Sequence, residues 1–252
     1  MSARGGAEVL TLFHASDLHF GAEDRRALDW FAAEVARARP DAIICTGDLT
    51  LRGSAREFAM AEEWLAALPV PVSLEPGNHD VPYYHRMWHR LTRPWHHYRA
   101  LEAAVEAPLA LPDLTLAPLR TVAAAQFRLN WSKGRITRAD LAETLGQLHA
   151  GAARPLRLVA GHHPLIDADT RSTGSTRGGR AALAALAAAG AQAVLSGHVH
   201  DPFDRVVNAG GHPIRLIGAG TLSERLRSTP PSYNRLEWSA AAGLTVKVVA
   251  LG

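Results

Sequence analysis

The stretch VLTLFHASDLHFGAEDRRALDWFAAEVARARPDAIICTGD, residues 9–48, decides how the chain folds. It opens on a short apolar run at 9–13, and a second run, Ala-Ile-Ile-Cys, stands at 42–45. Between them Ala27, Trp30, Phe31, Val35 and Ala38 recur at helical spacing with one buried face. Pro40 ends that helix, because proline lacks the donor and clashes with the preceding turn. Strand, helix, strand in this order predicts parallel strands joined by a crossover. Each apolar run leads into a short polar segment, Ser16-Asp17-Leu18-His19 after the first and Thr46-Gly47-Asp48 after the second.

The same alternation continues outward. Phe58, Ala61, Leu65 and Leu68 predict a second helix, and residues 70–74 a third strand that runs into Gly77-Asn78-His79-Asp80. Residues 81–106 carry Tyr84, Trp88, Leu91, Trp95 and Tyr98 at helical steps, broken by Pro94. That pattern reads as an amphipathic helical pair with a basic solvated side; the alternative is a lid that stacks an organic group. Strands are expected at 109–119 and 121–129, then a helix opened by a capping box between Thr137 and Asp140 and running to His149. Strand 156–160 leads into Gly161-His162-His163-Pro164. An Ala-rich helix near 180–189 and a strand at 193–195 lead into Gly197-His198-Val199-His200. The tail reads as antiparallel strands at 203–207, 214–217 and 244–251. With no repeat or low-complexity linker, residues 1–252 are expected to form one domain with an α/β core.

Composition narrows the function classes. Apolar residues make up 47% and charged residues 20% of the chain, which supports an ordinary globular core. A formal charge of +3 suits a phosphate-bearing substrate but is too small for a nucleic-acid groove, so no stable nucleic-acid partner is expected. The lone Cys45 cannot form a disulfide within the chain and is expected as a buried, inert thiol. Residues 1–8 lack the apolar stretch of a secretory signal. The apolar stretch at 181–191 falls short of the roughly 18 residues a membrane span needs. A cytoplasmic protein is expected.

Parallel strands deliver their following loops to one edge of a sheet. That places Asp17, His19, Asp48, Asn78, His162, His198 and His200 as candidate metal ligands. Taken singly, each motif has a plainer reading: Asp-x-His as a turn or helix cap, Gly-Asn-His-Asp as a turn using positive φ, and His162-His163 as a surface loop. Their recurrence at five strand ends carries the metal reading. Imidazoles, carboxylates and an amide without thiolate suit manganese, iron or zinc rather than calcium or a structural zinc site. Two such ions, about 3.5–4 Å apart, bring more charge than Asp17, Asp48 and a shared hydroxide remove. The surplus attracts a phosphate oxyanion.

In order and spacing these motifs resemble the calcineurin-like metallophosphoesterases, from Asp17 to His200. The likeness is greatest to class III cyclic-nucleotide phosphodiesterases and their broad-specificity bacterial relatives. The resemblance implies an α/β fold: a four-layer αββα sandwich of two mixed sheets flanked by helices, with a di-metal site at the strand C-terminal ends. One metal would take Asp17, His19, Asp48 and His200. The other would take Asp48, Asn78, His162 and His198, with Asp48 bridging. His79 would serve catalysis as proton donor to the leaving group or as a phosphate contact, while a hydroxide held between the metals attacks phosphorus in line.

Some residues depart from the pattern. Protein serine/threonine phosphatases carry G-D-x-x-D-R-G, whereas here Leu51 stands in place of the second aspartate and leaves the partner of His79 open. Arg52 is retained, as a substrate contact or an exposed arginine at a helix start. His163 is a substrate contact or a support for the ligand beside it. Residues 167–180 read as a loop from which Arg171 or Arg177 could reach the site, and His14 as a core histidine. The expected activity is hydrolysis of phosphodiester bonds in a small phosphate ester, cyclic nucleotides among the candidates. Phosphomonoesterase or nucleotide-lipid pyrophosphatase activity would use the same centre. A metal-free scaffold would have lost ligands that are all present here, and a repair nuclease would need a further DNA-capping domain.

Overall fold

The computed structural model describes residues 9–83, 87–124, 132–170 and 175–252. Strands β1 (Leu10–Ala15), β2 (Ala42–Cys45) and β3 (Val72–Leu74) run parallel and adjacent, alternating with α1 (Arg25–Ala38) and α2 (Ala55–Ala66). Asp24 caps α1 by accepting the Ala27 N–H at 3.1 Å, and the helix stops where Arg39 turns left-handed before Pro40. Ser54 and Glu57 form a reciprocal capping box on α2. The aromatic segment folds as α3 (Met87–Thr92) and α4 (His96–Val105), divided at Pro94; Tyr84 lies outside the described residues.

A second sheet holds β4 (Leu114–Pro118), β5 (Leu156–Ala160), β6 (Ala193–Ser196) and β8 (His212–Gly218), all parallel. Antiparallel β7 (Phe203–Ala209) pairs with β8 at its edge. Helices α5 (Arg138–Ala150), opened by the Thr137/Asp140 capping box, and α6 (Gly179–Ala188) belong to this half. The first sheet is completed by a hairpin of β9 (Ser232–Ser239) and β10 (Gly243–Ala250), with β9 antiparallel to β1.

Packing gives four layers. Leu12, Ile44, Leu158, Leu195, Ile217 and Leu236 fill the space between the sheets. Phe31, Val35, Phe58, Leu65 and Tyr98 cover the outer face of the first sheet, and Leu148, Leu183 and Leu186 cover that of the second. Strands buried on both faces carry continuous apolar runs instead of alternation, which is why β2 and β6 are legible. Truncating Leu158, fully buried at the inter-sheet contact, to alanine should cost about 2–5 kcal/mol. No helix of the described residues is long and apolar enough to cross a membrane.

Several expectations need correction. The strand expected at 109–119 starts only at Leu114, after a turn in which the Leu114 N–H donates to Leu111. Residues 121–124 are not in a strand, and 125–129 lie outside the described residues. β9, SYNRLEWS, went unexpected. Although it is central, it carries buried Ser232 and Asn234 in place of an apolar run. Asn234 donates to the Gly218 carbonyl (2.9 Å) and lies 3.2 Å from His14 Nδ1, while His14 Nε2 lies 3.0 Å from Thr46 Oγ1. This polar knot between the sheets makes His14 a fully buried core histidine. The segment expected to be a loop at 167–180 is partly fastened. Ile136 N–H donates to the Arg177 carbonyl, Arg177 N–H to Gly134, and Thr176 Oγ1 to Pro164. Arg171 lies outside the described residues.

Candidate metal centre

The loops leaving β1 and β2 are zipped together by main-chain hydrogen bonds of 2.9 Å, from Asp17 to Gly47, His19 to Asp48 and Phe20 to Leu49. Other loops attach through the carboxylates. Asp17 Oδ2 accepts the His198 N–H (2.9 Å) and Asp48 Oδ1 the His79 N–H (2.8 Å). Asp80 accepts main-chain N–H groups of Leu49, Thr50 and Gly77, locking the β3 loop onto the β2 loop. The approach is too close for any other side chain: a Cβ on Gly77 would lie 2.1 Å from Asp48 N, and one on Gly197 1.8 Å from Ser16 Oγ. These contacts explain the glycines of both motifs.

Asp17, His19, Asp48, His198 and His200 all adopt left-handed φ values between 47° and 72°. Each such residue without glycine's freedom costs on the order of 1–2 kcal/mol. The hydrogen bonds just named hold the strain in place and aim the side chains at one another.

Ligand atoms of Asp17, His19, Asp48 and His200 lie within 4.8 Å of one another, and so do those of His162, His163 and His198. Asp48 stands between: its Oδ2 is 3.7 Å from His19 Nε2 and its Oδ1 3.4 Å from His162 Nε2. Asn78 Oδ1 lies 3.2 Å from His162 Nε2.

Tautomers follow from the partners. Nδ1 of His19 faces the Thr50 carbonyl (3.3 Å), Nδ1 of His162 the Thr46 carbonyl (2.7 Å) and Nδ1 of His200 the Arg225 carbonyl (2.6 Å). A carbonyl only accepts, so each neutral ring carries its proton on Nδ1 and turns the Nε2 lone pair inward. His19 and His200 then present lone pairs 3.2 Å apart, and Asp17 Oδ1, 3.0 Å from His200 Nε2, is buried without a hydrogen bond. Acceptors facing acceptors in a buried site call for a cation, and the donor set fits the borderline metals.

The field agrees. Burial would raise the Asp17 carboxyl, yet His200 and His19 hold it well below the usual range, and Asp48 is held low likewise by His162 and His79. Burial opposes charge on His162, but Asp48 outweighs it and pushes its pKa up to about 9. The carboxylates thus draw positive charge to this spot. Burial with His162 nearby drives His198 down to about 3, leaving it a neutral donor ring.

The other sequence candidates are placed as follows. His163 has both ring nitrogens engaged, Nδ1 with Thr121 Oγ1 (2.9 Å) and Nε2 with the Ser132 carbonyl (2.9 Å). It packs against His198 with ring centroids 4.5 Å apart, which makes it a wall for that ring. Arg52 is exposed and forms no hydrogen bond or ion pair with any described residue of the cluster. His79 finds the partner that Leu51 left open in that residue's own main chain, since its Nδ1 lies 2.6 Å from the Leu51 carbonyl.

Arg225 was not foreseen. Its Nη1 lies 3.1 Å from His79 Nε2 and 3.2 Å from His19 Nε2. It sits in the loop after β8, fastened by Thr221 Oγ1 donating to the Asp17 carbonyl (2.7 Å) and by Glu224 N–H donating to Ala22. Because β8 runs parallel to β6, its loop emerges at the ligand edge. Reading the tail as wholly antiparallel concealed that signal.

A family model described as calcineurin-like phosphoesterase matches residues 10–202. A probable cyclic nucleotide phosphodiesterase of Synechococcus sp. is 25% identical over 211 residues, covering 79% of this chain and 76% of that protein. A probable glycerophosphodiester phosphodiesterase of Arcobacter nitrofigilis is 25% identical over 227 residues, covering 86% and 80%. Glycerophosphodiester phosphodiesterase GpdQ of Enterobacter lignolyticus is 32% identical over 82 residues; that match spans 28% of this chain and 30% of the relative. Among solved structures, a dimetal phosphatase from Danio rerio superposes with a TM-score of 0.65 at 14% identity, covering 96% of this chain and 99% of that one. A purple acid phosphatase from yellow lupin gives 0.67 at 11% identity, covering 98% and 52%. At such identities the likeness is one of fold.

Proposed function

The chain belongs to the calcineurin-like phosphoesterase family, and we propose that it hydrolyses phosphodiester bonds of small organic phosphates, cyclic nucleotides and glycerophosphodiesters being the first classes to test. The observation that carries this reading is Asp48, with one oxygen turned toward His19 and the other toward His162. That posture suits a carboxylate shared between two cations. Asp17, His19, Asp48 and His200 would hold one manganese, iron or zinc ion, and Asp48, Asn78, His162 and His198 the other. When bound, the ions supply Lewis acidity, lowering the pKa of water and drawing charge from phosphoryl oxygens.

The chain's own residues do the rest. Main-chain carbonyls of Thr50, Thr46 and Arg225 fix the three imidazole tautomers, so no ring has to turn on binding. His79, oriented by the Leu51 carbonyl, keeps Nε2 directed at the cluster, where it can hold a proton for the departing alkoxide. Arg225 brings the charged donor that grips a nonbridging phosphoryl oxygen. Among the described residues it is the one arginine hydrogen-bonded to the cluster. One such cation matches the single charge of a diester better than the double charge of a monoester. The relatives named above as phosphodiesterases support the same preference.

The test is a panel of bis-p-nitrophenyl phosphate, p-nitrophenyl phosphate, cyclic nucleotides and a glycerophosphodiester, each with manganese. Turnover of diesters above the monoester supports the reading. A marked monoester preference would make the chain a phosphomonoesterase on the same centre, and inertness of a metal-loaded sample toward every ester would overturn it.

A further inference from the structure

A cavity of about 690 Å³ lies between the free edges of the two sheets, β3 and β4, with α4 and α5 supplying further walls. It shares no residue with the metal cluster. Glu75, Glu102, Glu106 and Glu143 line it, against Arg120 and Arg154. Arg154 Nη1 donates to the Leu114 carbonyl at 2.6 Å, while Arg120 lies over the Trp95 ring, 5.3 Å from its centroid, and near enough to Glu75 to draw its pKa down in part. No ion pair joins the four glutamates to any described residue.

Glu75 is the decisive member. It is 6% exposed, and its carboxyl makes no hydrogen bond to any described residue, although its main-chain N–H donates to Cys45. Burial and the neighbouring Glu106 push its pKa well above the carboxylate range. A carboxyl this nearly buried, without a protein donor and lining the cavity, leaves its hydrogen-bonding capacity to whatever fills that space. Glu102 on α4 and Glu106, the extended residue that ends it, stand close enough that burial and the first together raise the pKa of the second, and Glu106 accepts from Ser73 Oγ at 3.2 Å. Leu74, Leu109 and Leu116 give the cavity apolar wall between these groups.

We propose that this cavity binds an aliphatic polyamine, with ammonium groups against Glu75 and the Glu102/Glu106 pair and methylenes along Leu74, Leu109 and Leu116. An ammonium supplies the N–H donors that Glu75 lacks and adds to the charge of Arg120. A metal ion fits less well. Among the described residues no three of these carboxylates bring oxygens within 4.8 Å of one another, and the space suits a small organic ligand.

Calorimetric titration of the intact protein with spermidine, with magnesium chloride as a second arm, tests this independently of any hydrolytic activity. Saturable single-site binding is expected, weakened about tenfold or more in Glu75→Gln and in Glu102→Gln. Glu102 is half-buried on α4, so its variant keeps the fold even if Glu75→Gln does not; melting curves report on both. No saturable heat, binding unchanged by Glu102→Gln, or displacement of spermidine by magnesium at equal charge would each overturn the proposal.

Discussion

Replacing Arg225 by alanine removes a guanidinium whose Nη1 stands 3.1 Å from His79 Nε2 and 3.2 Å from His19 Nε2. It leaves the main-chain carbonyl that accepts from His200 Nδ1 at 2.6 Å. The substitution therefore separates phosphoryl contact from ligand orientation. Loss of one preorganised charged donor in a water-poor site is worth about 2.7–4 kcal/mol, or roughly 10²–10³ in kcat. Arg225→Lys should recover part of that loss, because it restores the charge but not the planar fork. The assay is steady-state hydrolysis of bis-p-nitrophenyl phosphate with manganese, paired with elemental analysis of the same preparations. Expected are a fall in kcat of that size, partial rescue by lysine and unchanged metal content. If kcat of Arg225→Ala stayed within about threefold of the parent, or if metal left with the side chain, the assignment to the phosphoryl group would be wrong.

His79→Ala should retain metal and lose rate, most for esters with poor leaving groups; a leaving-group series would show this as a steeper dependence, and an emptied metal position would refute the role. Asp48→Ala should abolish turnover and lower metal content while the far-ultraviolet dichroism stays that of the parent, and chelator treatment of the parent should give the same inactivity, reversed by manganese. Gly77→Ala would drive a Cβ to within 2.1 Å of Asp48, so activity should fall with it even though the substitution adds one methyl; full activity would mean the loops part more easily than their hydrogen bonds imply. Burial holds His14 down at about 3, against a smaller opposing pull from Asp17. Between that value and its unfolded value near 6.5, the unfolded chain therefore takes the extra proton. Its stabilisation is whole above about pH 6.5 and is lost as pH falls, by up to about 1.4 kcal/mol per pH unit. Urea midpoints across that range should fall less steeply in His14→Gln, and parallel curves would reject the assignment.

Much of the architecture was legible because its strands are buried on both faces and followed by chemistry. Ile43 and Ile44 announce β2, and Gly47-Asp48 marks its end. β9 was hidden for a physical reason: Asn234 is buried but hydrogen-bonded within a polar knot, and Ser232 is buried beside it with its main-chain N–H donated to Thr221, so an interior strand reads like surface. Arg225 was missed for a related one. The direction of β8 depends on its pairing with β6 across sequence, and no local pattern distinguishes a parallel partner from an antiparallel one. The partner of His79 is a carbonyl, a group every residue carries, and so it leaves no trace in residue type. Arg52, by contrast, matched a motif by type, yet it stands exposed in solvent.

The left-handed backbone at Asp17, His19, Asp48, His198 and His200 sets catalysis and thermostability against each other residue by residue. Glycine at His19, His198 or His200 would relieve torsional energy while deleting a donor, so a thermostability screen blind to turnover should enrich such replacements. A lineage freed from selection for hydrolysis would drift downhill at those histidines toward an inert, sturdier shell, and engineers seeking heat resistance here must leave them alone.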